Sequence, residues 1–433
     1  MLDILVNTLK SFDGVEYLIQ ETKTRRVESY NIKKQSEMSR KIETTLISLN
    51  LYVVFDEGGK KYRGSYNTDI HPGTSTDELE NIIKEGVYAA GFVKNEYFPL
   101  VSPTPAQPSK SRELDTSKAL AELQAAFHAS DNHPTGCISY SEFFITREDV
   151  RIINSNGVDV GYTTHRAFVE TAVHMPSTEV GEIEITEAYR FSLDDIAAAA
   201  KSLQDRVAAL FTVAEKKAAA KPTPTVGDIN ILLSGECLST FFSYYRRCSS
   251  AQMIYQQLST FKEGTEVQGG ENSDRINVIL DPNMPGSTQS RPYDDQGLPL
   301  ESHKIIEGGK LLKYWGDTRF ASYLGLTPTG NVSNVHITGG TAKETDLRKE
   351  PYLELVSFSD FQVNPVTGDF GSEIRLGYYY DGNNITPVTG GSISGNMSKV
   401  QDGLRMSAEL RQYNDYKGPA TVCMRGASIS GVS

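Results

Sequence analysis

The first hundred residues alternate apolar and polar positions in two stretches, VEYLIQET (15–22) and YVVFDEGGKKYRGSY (52–66). Such alternation predicts β-strands, and Gly58 with Gly59 predicts a hairpin turn inside the second stretch. A helix is predicted next, because Ser75 and Glu78 have capping-box spacing and apolar residues then recur at helical intervals. These apolar residues are Leu79, Ile82, Ile83, Val87 and Ala90.

The stretch VSPTPAQPSKS (101–111) has three prolines and small polar residues, which predicts a linker and a domain boundary. A second segment of mixed helices and strands follows. It is predicted to contain a helix with Leu120, Leu123 and Phe127 inward, strands near 137–147, 149–154 and 157–172, and a further strand in GEIEITEAYRF (181–191). Ser192 and Asp195 predict the start of a long helix that buries Ile196, Leu203, Val207, Leu210 and Phe211.

KAAAKPTPT (217–225) ends that helix through Pro222 and Pro224, and the chain beyond it is richer in Gly, Ser, Asn, Tyr and Thr. The last half is therefore predicted to be mostly antiparallel strands, with hairpins in KIIEGGKLLKYW (304–315) and LGYYYDGNNITPV (376–388). One helix is predicted within it, with Ser234 as the cap and with Leu238, Phe241, Phe242 and Tyr245 on one side.

These patterns predict an α+β protein with a mixed amino-terminal half and a β-rich, mainly antiparallel carboxy-terminal domain. The predicted segments are 1–100, 112–216 and 226–433. A chain of 433 residues is long enough for several cores, which agrees with this division.

Composition and charge narrow the classes of function. The formal net charge of −12 disfavours direct nucleic-acid binding, and no apolar stretch approaches the length of a membrane span. The amino terminus shows no cleavage-site pattern, so we expect a cytoplasmic protein. The four cysteines, Cys137, Cys237, Cys248 and Cys423, are too few for a disulfide framework and are expected to be reduced.

Several residues could carry chemistry, and each has a simpler structural interpretation. The chain has seven histidines but no HExxH or HExxxH motif. The local pair His128 and His133 is interpreted as helix-end histidines rather than metal ligands. The cysteines have no histidine close in sequence and no nucleophile elbow, so a structural role is preferred, although folding could bring partners together. Asp294 and Asp295 are interpreted as turn-capping groups in preference to an acid–base pair.

Tyr378, Tyr379 and Tyr380 lie in one predicted strand. Ordinary strand packing, with alternate tyrosines on opposite faces, is the preferred interpretation. The alternative is an aromatic wall that binds an extended peptide or a glycan, and it makes Tyr378 and Tyr380 candidate residues of a peptide cleft.

The carboxy-terminal half resembles the TldD/PmbA family of peptidase-related proteins. The resemblance lies in PYDDQGLPLESHKIIEGGKLLKYWGDTRFASYLGLTPTGN (292–331), FQVNPVTGDFGSEIRLGYYYDG (361–382) and ITPVTGGSISGN (385–396), and more loosely in NSNGVDVGY (154–162). It implies a dimer around an enclosed cleft and a link to the degradation or maturation of peptides. The older family name, modulator of DNA gyrase, describes an indirect effect and fits poorly with an acidic chain.

In this family, TldD-type members carry an HExxxH motif completed by a cysteine near the end of the chain, whereas TldE/PmbA-type members lack it. The motif position in this chain is identified as Gly235-Glu236-Cys237-Leu238-Ser239-Thr240, in which Gly235 and Thr240 replace the two histidines. Cys423 matches the last strand of the family rather than its cysteine ligand. The resemblance therefore implies no metal site, no expected cofactor and no expected catalytic residue in this chain, with zinc only in a TldD-type partner.

Three hypotheses follow. The first is a TldE/PmbA-like subunit that forms a homodimer, or a heterodimer with a TldD-type paralogue, and helps to enclose peptides. The second is a self-sufficient hydrolase with a different site. The third is a non-catalytic homodimer that binds peptides or another ligand.

Overall fold

The computed structural model describes residues 1–105, 113–177, 181–270 and 272–432. The described residues fold into helices and mostly antiparallel sheets, which confirms the α+β prediction. No helix among them is long and apolar enough to cross a bilayer.

In the described residues of the amino-terminal half, four helices pack against a sheet of seven strands. The helices are α1 (Leu2–Lys10), α2 (Thr76–Ala90), α3 (Thr116–Ala129) and α4 (Ile196–Ala218). The strands are β1 (Val15–Ile32), β2 (Gln35–Glu57), β3 (Lys60–Ile70), β4 (Asn95–Glu96), β5 (Cys137–Asn154), β6 (Asp159–Ser177) and β7 (Gly181–Ser192). Their spatial order is β4-β3-β2-β1-β5-β6-β7, so β7 is an edge strand among the described residues.

The helices cover one face of this sheet with two apolar cores. Leu79 and Ile83 of α2 pack with Leu49 of β2 in one core. Phe127 of α3 and Leu203 of α4 pack in the other, with strands β5, β6 and β7. The capping box at Ser75 and Glu78 is confirmed.

The sheet joins the two predicted amino-terminal segments, because β1 pairs with β5 from Leu18 opposite Asn154 to Ile32 opposite Tyr140. The strands predicted at 137–147 and 149–154 are one continuous strand, β5. Residues 101–105 have no regular structure, and residues 106–111 of the predicted linker lie outside the described residues. The proposed domain boundaries stay predictions.

The carboxy-terminal half contains two sheets around α5 (Cys237–Cys248). The six-stranded sheet has the order β12-β11-β10-β13-β21-β20, and the ten-stranded sheet contains the path β19-β22-β9-β14-β16-β17-β8 with β15, β18 and β23 attached. The strands are β8 (Lys221–Pro222), β9 (Asn230–Ser234), β10 (Asn277–Leu280), β11 (His303–Glu307), β12 (Lys310–Leu311), β13 (Val335–Thr338), β14 (Tyr352–Phe358), β15 (Gln362–Val363), β16 (Asp369–Tyr380), β17 (Ile385–Thr389), β18 (Ser392–Asn396), β19 (Arg405–Met406), β20 (Leu410–Tyr413), β21 (Tyr416–Pro419), β22 (Thr421–Met424) and β23 (Ser428–Ser430). The shorter helices are α6 (Ala251–Tyr255), α7 (Thr318–Tyr323), α8 (Glu344–Leu347) and α9 (Met397–Val400).

Helix α5 packs into the core between these sheets through the predicted residues Leu238, Phe241, Phe242 and Tyr245. Both predicted hairpins are confirmed, as β11–β12 and β16–β17. The prediction that Ser234 caps α5 is wrong, because Ser234 is the last residue of β9 and its hydroxyl lies 2.6 Å from a carboxylate oxygen of Glu354. A buried carboxylate acceptor therefore holds this hydroxyl away from the helix.

Candidate functional site

The sequence Gly235–Thr240 comprises the turn from β9, at Gly235 and Glu236, and the first residues of α5. Gly235 has a φ of +93°, and a Cβ atom there would lie 3.1 Å from the carbonyl oxygen of Val356. Glu236 is the N-cap residue of α5, and its side chain is 59% exposed. The backbone turn thus depends on glycine and presents the glutamate carboxylate to solvent.

A cavity of about 550 Å³ opens at the start of α5. We call it the motif cavity, and it lies between the two halves of the chain. Its lining comprises Glu236, Cys237, Ser239 and Thr240 of the motif position, Glu187, Ala188 and Arg190 of β7, Arg206 of α4, Gln289, residues 356–361, and residues 413–415.

Three strand edges meet at the motif cavity. Strand β7 ends the seven-stranded sheet, and β20 ends the six-stranded sheet. On β14, pairing with β9 stops at Leu355, so residues 356–358 have no strand on that side within the described chain. Free strand edges offer backbone N–H and C=O groups that an extended polypeptide can use.

Acidic and basic side chains face each other across the cavity. Burial raises the pKa of the Glu187 carboxyl to about 7, with the charge of Glu236 as the second cause, and Arg206 opposes the shift. Arg206 Nη1 lies 3.8 Å from Glu236 Oε1. Burial also raises the pKa of Asp415, while Arg246 and Arg190 oppose the shift. The cavity lining has four carboxylates and two guanidinium groups and is therefore acidic on balance.

The ligand chemistry at the motif position does not suit zinc. Gly235 has no side chain, Thr240 offers a neutral hydroxyl, and burial raises the pKa of the Cys237 thiol to about 12. Glu236 is the one strong ligand left at the motif position, whereas zinc normally takes three or four. Within the described ranges, no group of three or more His, Cys, Asp or Glu side chains is arranged to hold a metal ion.

Tyr378 and Tyr380 do not line the motif cavity. Tyr378 lies opposite Glu354 in the β14–β16 ladder, and the Tyr380 ring packs 5.4 Å from the Tyr352 ring. Tyr379 packs against the main carboxy-terminal core, while Tyr380 packs against a separate cluster. Tyr379 and Tyr380 thus pack on opposite faces of β16, and a peptide-cleft role of Tyr378 and Tyr380 stays a prediction.

The remaining candidates have local structural roles. His133 Nδ1 accepts hydrogen bonds from the backbone N–H groups of Thr135 and Gly136. Asp294 accepts hydrogen bonds from the N–H groups of Gln296 and Leu298, which confirms the capping interpretation for this residue, and burial raises its pKa to about 6. Asp295 instead forms an ion pair with Arg291. Cys423 is buried in β22, where burial raises its pKa to about 11.

Sequence reasoning missed Glu187, Arg190, Arg206 and residues 356–361. The strand of Glu187 and Arg190 and the helix of Arg206 were predicted from local patterns, whereas the strand at 352–358 was not. Nothing local marks any of these residues as neighbours of Glu236. The edge position of β7 was the missing information, because strand order follows from long-range pairing.

Residues 226–431 match the family model of the PmbA/TldA metallopeptidase C-terminal domain. A zinc metalloprotease TldD homolog of Saccharolobus solfataricus is 26% identical over 247 residues, which are 53% of each chain. The chain spans between half and three fifths of the length of the first curated relatives that it matches.

Two solved structures have a similar fold. A proposed modulator of a DNA gyrase from Thermotoga maritima superposes with a TM-score of 0.75 at 16% identity, over 100% of this chain and 99% of the other. TldE from Thermococcus kodakarensis superposes with a TM-score of 0.72 at 15% identity, over 100% of both chains. At these identities the likeness establishes the fold.

Proposed function

We propose a role for this chain that proceeds from its membership of the TldD/PmbA family through residues 226–431. In this proposal the chain is a TldE/PmbA-like subunit that binds extended peptides in the motif cavity. It does so without a metal site of its own. The observation that carries the proposal is the position of the replaced motif, which lines a cavity where three strand edges meet.

The free edges support an extended peptide as the ligand. A polypeptide that adds as a strand to β7, to β20 or to residues 356–358 forms main-chain hydrogen bonds that do not depend on its sequence. The acidic balance of the cavity adds attraction for positive groups on the peptide. A flexible segment can enter the motif cavity and pair along a strand edge, so the proposed ligand class is unfolded or short polypeptide.

The ligand set at the motif position supports the absence of an intrinsic metal. With Glu236 as the one strong ligand, a zinc ion stays largely hydrated and weakly held. Without a bound metal, Glu236 has no metal-activated water to deprotonate. Peptide cleavage is then the task of a TldD-type partner in a heterodimer, and a homodimer of this chain binds peptides without cleaving them. We place this activity in the cytoplasm.

Elemental analysis tests the metal part of the proposal. After extensive dialysis without chelator, we expect no stoichiometric zinc and no peptidase activity in the purified chain. About one zinc per chain, with peptidase activity abolished by Glu236→Gln, would overturn the proposal in favour of a self-sufficient enzyme.

Restoring the two histidines is expected to recover zinc affinity only in part. Gly235→His places a side chain at a φ of +93° and close to the Val356 carbonyl, which strains the turn. Thr240→His introduces no such strain and serves as the matched single variant. Zinc titration of the double variant and of the single Thr240→His variant measures the zinc affinity of each.

A cavity-filling variant tests peptide binding. Ser239→Trp fills the motif cavity from α5, and Thr212→Trp, on the exposed side of α4, is the control. We expect Ser239→Trp to weaken binding of a fluorescently labelled unfolded polypeptide by at least about tenfold, a loss of about 1.4 kcal/mol. Equal affinity of the two variants would place the peptide elsewhere.

A further inference from the structure

The face of the amino-terminal sheet opposite its helices contains a second cavity, of about 580 Å³. We call it the sheet-face groove. Its floor is formed by Phe144 of β5 and Phe168 of β6, which are cross-strand neighbours with ring centroids 5.7 Å apart. Both rings are half-buried, so they leave apolar surface for a ligand.

Three arginines line the sheet-face groove, and two of them are paired with carboxylates. Arg26 forms an ion pair with Glu28, and Arg166 forms one with Glu148. Both guanidinium groups thus have a carboxylate partner within the fold, although Arg26 shares Glu28 with Arg40.

Arg190 differs from the other two. It lies opposite Phe168 in the β6–β7 ladder, and its guanidinium carbon is 5.1 Å from the Phe168 ring centroid. Asp415 is close enough for Arg190 to lower its pKa, but the two residues form no ion pair. In the part of the chain that the structure describes, Arg190 therefore stands exposed over an aromatic floor without a carboxylate partner.

An arginine that stacks on an aromatic ring keeps its N–H fork free for a planar anion. A carboxylate fits this fork with two parallel hydrogen bonds, and the phenylalanine floor fits an apolar group beside that carboxylate. The site thus combines an apolar surface with one orienting charge, which is the usual composition of a small-ligand pocket.

The sheet-face groove adjoins the motif cavity, because Arg190 and Gln289 line both. The two cavities differ in charge. The motif cavity has an excess of carboxylates, whereas the unpaired charge of the groove is the positive charge of Arg190. A negative group of a ligand that spans both cavities is therefore best accommodated in the groove.

We propose that the sheet-face groove binds a carboxylate next to an apolar side chain, with Arg190 contacting the carboxylate and with Phe144 and Phe168 contacting the apolar group. The assignment of this ligand to a peptide rests on the proposed function. The carboxylate can then come from the chain end of the peptide or from an acidic side chain.

Small ligands test the groove without relying on peptide binding. N-acetyl-phenylalanine has the expected carboxylate and ring, and its amide lacks the charge. We expect saturable binding of the acid at millimolar concentration and affinity at least about tenfold lower for the amide, which is the effect of losing a charge-assisted hydrogen bond. Calorimetric titration measures both.

Arginine variants assign the contact. Arg190→Gln should reduce affinity for the acid by at least about tenfold and leave the weak binding of the amide unchanged. Arg190→Lys should retain part of the preference, because lysine keeps the charge but loses the fork. Arg247→Gln, at an exposed position of α5 outside the groove, is the matched control and should have no effect. Equal affinity for acid and amide, or an acid affinity that Arg190→Gln leaves unchanged, would overturn the proposal.

Three short peptides separate the sources of the carboxylate. One ends in phenylalanine with a free carboxylate, the second is its amide, and the third is an amide with an internal Phe-Glu pair. If the first peptide binds most tightly and Arg190→Gln removes this preference, the carboxylate comes from the chain end. If the third peptide does so, the carboxylate comes from an acidic side chain. If the small acid binds through Arg190 but no peptide binds, the proposed function fails and the groove stands. If all three peptides bind alike and independently of Arg190, the groove fails and the proposed function stands.

Discussion

Glu187 lies on the edge strand β7, where burial and the charge of Glu236 raise its pKa to about 7 from an ordinary value of 4.5. A carboxyl with a raised folded-state pKa contributes stability that is complete below about pH 4.5 and is lost as the pH rises through about 7. Ionised Glu187 is therefore expected to destabilise the fold above neutral pH.

Replacing Glu187 with glutamine should stabilise the protein at pH 8 by about 1 to 3 kcal/mol and have a much smaller effect at pH 5, because glutamine needs no proton to be neutral. Denaturant unfolding at the two pH values measures the difference. Glu184→Gln is the control, since Glu184 is exposed on the same strand. An equal effect of Glu187→Gln at both pH values would contradict the raised pKa of the Glu187 carboxyl.

The same residue bears on function, because Glu187 and Glu236 are neighbours in the motif cavity. Their mutual repulsion is relieved when one of them is protonated or when a positive group of a ligand enters. Binding of a basic peptide should therefore lower the pKa of Glu187, which links this residue to the ligand chemistry proposed for the cavity.

Helix α4 carries Arg206 to the motif cavity, and its start depends on one side chain. Asp195 is the N-cap residue, and its carboxylate accepts a hydrogen bond of 3.0 Å from the Ala198 N–H. Ser192 is the last residue of β7, and its hydroxyl accepts from the Asp194 N–H instead. Of the two residues that the sequence suggested as caps, the structure uses Asp195.

Asp195→Ala is accordingly expected to reduce the free energy of unfolding by about 1 kcal/mol, because an N–H group at the helix start loses its acceptor. Ser192→Ala should cost clearly less. Thermal or denaturant unfolding of the two variants, measured under identical conditions, checks this order. A larger loss for Ser192→Ala would show that the helix start depends on the strand end instead.

For the whole molecule, the prediction concerns self-association. Family members are expected to form their cleft at a subunit interface, and a twofold contact uses one surface patch twice. Within the described chain, the edges of β7 and β20 remain unpaired at the motif cavity, so a second subunit can help to close it.

Sedimentation of the purified chain at micromolar concentration should therefore show a dimer. Adding a TldD-type paralogue should convert it to a heterodimer if the subunit proposal holds. A chain that stays monomeric and does not bind the paralogue would contradict a cleft enclosed by two subunits and would favour a simple binding module.

Local patterns predicted several elements of this fold, mainly the longer ones. The alternation in 15–22, the capping box at Ser75 and the prolines at 222 and 224 each act through neighbours in sequence, and the corresponding strand, helix start and helix end are all present. The motif position at Gly235–Thr240 was implied by the family resemblance and stays a prediction.

Tertiary structure alone decided which residues share the site. The sheet that unites the two amino-terminal segments depends on the β1–β5 ladder, which joins residues more than a hundred positions apart. The strand order of this sheet places β7 at an edge, so Glu187 and Arg190 line one cavity with Glu236 and residues 356–361. The sequence by itself determined those elements that have clear local patterns, since propensity and capping are local properties. The cavity, the raised pKa of Glu187 and the unpaired Arg190 arise from long-range strand pairing and burial, which no local pattern specifies.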